Sequence, residues 1–84
     1  MKHFASLEFW TLLEKLRGKL QELARQNYEL LKTNPYHPSL HFKRIGRFWS
    51  VRAGRSYRAL AIDAEDGIVW FWVGTHAEYD RLVG

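Results

Sequence analysis

Apolar residues recur at two different periods on either side of Asn34-Pro35, and that change dictates what this chain can fold into. Before it, Leu7, Phe9, Trp10, Leu13, Leu16, Leu20, Leu23, Tyr28, Leu30 and Leu31 fall three and four apart, the spacing of an amphipathic helix. After it come short runs rich in β-branched and aromatic residues, separated by glycine-containing turns. That is the pattern of antiparallel strands. A helical half followed by a stranded half is α+β. The expectation is an N-terminal helical hairpin packed on a twisted antiparallel sheet of about four strands, with a short C-terminal helix. The 84 residues are read as a single domain, 1–84, around one core.

Boundaries follow from local chemistry. Ser6 is a helix start, and Gly18 costs up to about 1 kcal/mol inside a helix. Two helices are therefore predicted, roughly Ser6–Leu16 and Lys19–Thr33, with a break near Arg17–Gly18; one bent helix is the alternative. Lys2–Ala5 carries a weak strand signal. Pro35 lacks a backbone donor and disfavours helical geometry at Asn34, which ends the second helix. Pro38 keeps Tyr36–Ser39 extended or turned. Strands are predicted over Leu40–Ile45, Phe48–Ala53, Tyr57–Ile62 and Ile68–Gly74, with turns at Gly46-Arg47, Gly54–Ser56 and Ala64–Gly67. Thr75 and Glu78 have the spacing of a capping box. The run Ile68–Val73 is apolar on both faces, so both of its sides must be covered. The helices cover one; the C-terminal helix, a partner, or both cover the other.

Composition removes several function classes. With no cysteine, there is no disulfide framework and no thiolate metal site. His37 and His41 are four apart, but Pro38 lies between them and no carboxylate completes a set, so neither metal nor cofactor is expected. There is no glycine-rich phosphate loop and no serine-nucleophile motif. No apolar run is long enough to span a bilayer, and no signal-like segment opens the chain, so the expected location is cytoplasmic, away from membranes.

Charge is more informative in its placement than in its total of +4. No acidic residue lies between Glu29 and Asp63, whereas that window holds Lys32, Lys43, Arg44, Arg47, Arg52, Arg55 and Arg58. Such a stretch suits a polyanion or an acidic protein, although a solvated basic face is the commoner origin. Asp63, Glu65 and Asp66 read as turn residues.

Within this window the hairpin Trp49-Ser-Val-Arg52-Ala-Gly-Arg-Ser-Tyr57-Arg58 carries the sharpest signal. A three-residue loop sets Arg52 opposite Arg58 on one face; a two-residue loop sets Arg52 opposite Tyr57. Like charges directly opposite are destabilising, unless an anion sits between them, and a phosphate fits two planar guanidinium forks. The plainer reading is two arginines reaching solvent. Beyond the last strand stand His76, an acid or base near neutral pH, and Tyr79, a proton donor or stacking surface. Their plainer roles are capping a helix and packing on the core.

Taken in order, Asn34-Pro-Tyr-His-Pro-Ser-Leu-His-Phe-Lys43, the Trp49–Arg58 hairpin and Val69-Trp-Phe-Trp-Val-Gly-Thr-His76-Ala-Glu-Tyr79 resemble the RelE/ParE superfamily of toxins from bacterial type II toxin–antitoxin systems, in its RelE-like branch. The resemblance runs from about Leu16 to Leu82. It implies a helical hairpin on one face of a twisted sheet, with the other face cleaving mRNA on the ribosome by 2′-hydroxyl attack on the adjacent phosphate, without metal. It implies catalytic roles for Arg52, Arg58, His76 and Tyr79. Lys43, Arg44, Arg47 and Arg55 would bind RNA, and a cognate antitoxin would be the protein partner. A ParE-like inhibitor of DNA gyrase, or a non-catalytic antitoxin-binding relative, is the alternative on the same fold.

Overall fold

The computed structural model describes residues 2–84. Strand β1 (Lys2–Ala5) leads into helices α1 (Leu7–Glu14) and α2 (Gly18–Thr33). A single 3-10 turn, Pro38–Leu40, then precedes strands β2 (Lys43–Ile45), β3 (Phe48–Ala53), β4 (Tyr57–Ala64) and β5 (Gly67–Thr75), and helix α3 (His76–Val83) follows. The sheet order is β1-β5-β4-β3-β2.

Two expectations are corrected by this topology. The sheet has five strands, and it is mixed: β1 pairs parallel to β5, with Lys2 opposite Gly67 and Ala5 opposite Trp70, while the other pairs are antiparallel. The parallel pair is possible because Gly67 has no side chain. A Cβ there would overlap the carbonyl oxygen of Lys2. The second correction is that the strand expected from Leu40 begins only at Lys43. Leu40 ends the 3-10 turn, and His41 takes a left-handed backbone with φ of 48°, which breaks the extended run.

The break between α1 and α2 falls where Gly18 placed it. Ser6 accepts a hydrogen bond from the Phe9 N–H and caps α1. Arg17, before α2, makes no such side-chain bond. The Gln21 amide nitrogen instead donates to the carbonyls of Glu14 and Leu16, satisfying the orphan end of α1. Thr75 and Glu78 form the capping box of α3, with Glu78 N–H donating to Thr75 Oγ1 at 3.2 Å and Thr75 N–H to Glu78 Oε1 at 3.0 Å.

Strand alternation sorts the sheet into two faces. One packs α1 and α2 over Val51, Ala53, Ala59, Ala61, Ile68, Trp70 and Val73, and this is the core together with Phe9, Leu13, Ala24 and Leu31. At its edge, the Trp70 indole N–H donates to His3 Nδ1 at 3.1 Å, fastening β1 to β5. The second face carries α3. Between Trp70 and Trp72 the register slips by one residue, with Phe71 as the extra one, a β-bulge. Among the described residues no helix is long and apolar enough to cross a membrane.

Candidate functional site

The second face is built of three cross-strand rows. At one end the row is apolar through all five strands: Ile45 faces Phe48, Phe48 faces Ile62, Ile62 faces Val69 and Val69 faces Phe4. The middle row runs Lys43, Ser50, Leu60, Trp72. The row at the other end is basic: Arg52 faces Arg58, and Arg58 faces Gly74. The β3–β4 loop therefore has three residues, Gly54 in the left-handed region at φ of 75° among them, and the two guanidinium-bearing residues share one face.

Helix α3 lies over the middle row. Leu60 and Ser50 are fully buried, and Tyr79 is 4% exposed. The Arg58 guanidinium carbon stands 5.4 Å from the centroid of the Tyr79 ring, a cation–π distance. Among the described residues three buried side-chain polar atoms lack a hydrogen-bond partner: Arg58 Nη1, Tyr79 Oη and Ser50 Oγ. Buried polar atoms are nearly always paired, so three orphans on one face are a concentration of unmet bonding capacity. All three belong to the second face.

The remaining groups divide by position. Arg52 donates from Nε to the Gly54 carbonyl at 3.0 Å, and its Nη1 is 3.5 Å from His41 Nε2. Neither Arg52 nor Arg58 takes part in an ion pair among the described residues. His76 is exposed at the start of α3, with its Nδ1 3.2 Å from Asp80 Oδ2 and its ring 5.6 Å from that of Tyr79. Gly74 is required here, because an added Cβ would run into the Trp72 ring. Tyr79 is packed as the plainer reading had it, yet beside Arg58. Its hydroxyl is buried, not displayed.

Of the residues expected to bind RNA, the structure brings Lys43 to this face and takes Arg44 away from it. Lys43 stands opposite Ser50, exposed at the sheet edge. Arg44 points to the helix face, where its Nη1 and Nη2 donate to both oxygens of Asp63 at 3.0 and 2.7 Å. Trp49 Nε1 donates to the same carboxylate at 3.0 Å. These bonds, Arg44 first, hold the Asp63 carboxyl below the usual carboxylate range. Asp63 is thus a strand residue and a partner, not turn chemistry. Arg47 lies at the apolar end, its guanidinium 5.1 Å from the Phe48 ring centroid. Arg55 is exposed in the β3–β4 loop. Two residues of this face were missed in the sequence. Ser50 gave a signal only as the small residue alternating between Phe48 and Arg52. For His41 the sequence offers only the spacing to His37, a metal-ligand pattern.

Comparisons with known proteins bear on the family and the fold. A family model for the ParE-like toxin domain matches residues 18–81. The fold is similar to that of a chain in the crystal structure of the RelB–RelE antitoxin–toxin complex from Methanococcus jannaschii, with a TM-score of 0.70 and 16% identity, covering 96% of this chain and 99% of that one. No curated protein matches the chain.

Proposed function

The chain belongs to the ParE-like toxin domain family, and on that premise we propose that it is the toxin of a type II toxin–antitoxin pair, acting on mRNA at the ribosome as a metal-independent endoribonuclease. The observation that carries the reading is the register pair Arg52–Arg58. Two guanidinium groups on neighbouring strands with no carboxylate paired to either are unfavourable unless an anion joins them. A backbone phosphate supplies that anion. When a ribose 2′-hydroxyl attacks the adjacent phosphorus, negative charge grows on the phosphoryl oxygens, and preset cations at that point stabilise the transition state. The family resemblance gives this role first to Arg58. Lys43 would hold the RNA backbone through an attraction that weakens with salt.

Inducing the wild-type chain in a bacterium should stop growth, and Arg58→Ala should relieve the arrest. In cleavage of mRNA on translating ribosomes the same change should cost about 10²–10³-fold. Unimpaired growth with the folded wild-type chain present would count against the proposal. The likeness to a toxin crystallised with its antitoxin supports a protein partner that silences the chain.

A second reading is favoured by the family model itself, which describes ParE-like toxins: a binder that inhibits DNA gyrase. A supercoiling assay run beside the mRNA assay separates the two, because only one should respond to the protein.

A further inference from the structure

The geometry points to His41, beside Arg52, as the group that takes the proton from the ribose 2′-hydroxyl. This rests on the nuclease reading above and adds a residue to it.

Three observations single out His41. It is the one non-glycine residue with positive φ among the described residues, at 48°. Most side chains with a Cβ are disfavoured in that region, with asparagine, aspartate and histidine the commoner exceptions to glycine. Capping the 3-10 turn, whose Pro38 carbonyl accepts the His41 N–H, needs the backbone conformation but not an imidazole. Strain of this kind collects at functional positions. Next, His41 Nε2 lies 3.5 Å from Arg52 Nη1, and the ring is exposed. Finally, His41 stands two residues before Lys43, whose register partner is Ser50. It therefore flanks Arg52 at the edge of the row that continues to Arg58 and Gly74. His76 follows Gly74 by two residues. Its ring lies 5.6 Å from that of Tyr79, over which the Arg58 guanidinium carbon stands at 5.4 Å. One imidazole thus adjoins Arg52, and the other adjoins the ring that covers Arg58.

The step balances without any further reactant than the RNA. Once Arg52 turns from His41 Nε2 to the phosphate, that nitrogen of the neutral imidazole is free to accept the 2′-hydroxyl proton as the oxygen–phosphorus bond forms. Negative charge on the phosphoryl oxygens is met by Arg52 and Arg58. The bond from phosphorus to the 5′-oxygen breaks, and protonated His76 gives that oxygen its proton. The products are a 2′,3′-cyclic phosphate and a 5′-hydroxyl, and both imidazoles regain their starting states by exchange with water. The hydrogen-bonding distance between His76 Nδ1 and Asp80 leaves Nε2 as the nitrogen that faces outward.

The test is single-turnover cleavage of mRNA on programmed ribosomes by the full chain and by His41→Asn, His41→Gly and Arg58→Ala. Both His41 variants suit a positive φ and are expected to melt at or above the wild-type temperature. They should cleave about 10²–10⁴-fold more slowly, and lose the limb of the pH–rate profile that reports the base. Imidazole added to the buffer should restore the glycine variant and leave Arg58→Ala inactive. His41→Asn cleaving within a few-fold of wild type, with Arg58→Ala inactive, overturns this proposal and spares the nuclease reading. A slow His41→Gly that ignores imidazole also overturns it, assigning His41 a structural role. A wild-type chain that leaves mRNA intact overturns both.

Discussion

Arg44 and Arg58 lie in one basic stretch of sequence, yet they differ in what they can do. Arg44 is held by both oxygens of Asp63 and lies over the Trp49 ring; Arg58 keeps a buried nitrogen without a partner. The arginine pair was legible because counting the loop residues leaves few registers. The loss of Arg44 to the other face was not, because Asp63 looked like part of a turn whereas β4 runs on to Ala64. Asp63→Asn should therefore lower stability in a pH-dependent way. The folded-state carboxyl titrates below its ordinary value, so its contribution is present above that ordinary value, near pH 4. It is lost as pH falls through the folded value. Melting curves of the two proteins should differ by a small amount at neutral pH, since the pair is exposed and screened, and should converge in acid below about pH 4.

At the scale of elements, helices were easier to foresee than the sheet edge. A 3.6-residue period repeats within one helix and ends at residues of known effect such as Pro35. Strand β1 has only four residues, and its parallel partner lies far along the chain, so no turn announces it. Gly67→Ala tests that pairing: the added methyl group meets the Lys2 carbonyl and should cost on the order of 1–3 kcal/mol. Amide exchange should speed up along Lys2–Ala5 more than along β3. The uncapped end of α2 offers the opposite experiment. Arg17→Asp supplies both a capping oxygen and a favourable charge at the helix start, and should raise unfolding free energy by about 1 kcal/mol in urea titrations.

Seen as a whole, the molecule presents a basic end and an apolar end on the same face, separated by the buried row under α3. The apolar end exposes Phe4 at 44%, Ile62 at 42% and Leu82 at 51%, with Phe48, Phe71 and Arg47 around them. A run of both-face apolar residues in β5 signalled that something must cover this side; α3 covers only part of it. Under the toxin reading, the antitoxin would cover the rest. Ile62→Asp combined with Leu82→Asp should then weaken the toxin–antitoxin complex at least tenfold in a titration, about 1.4 kcal/mol. Both positions are exposed, so melting of the free chain should change little.

The parallel pairing of β1 with β5 also sets an order of events while the polypeptide is being made. Residues 2–5 emerge before β5 and must wait for a partner about 65 residues later, roughly 3–13 s at ribosomal rates of about 5–20 residues per second. Until then β1 has no strand to join, and a contact so distant in sequence slows the final folding step.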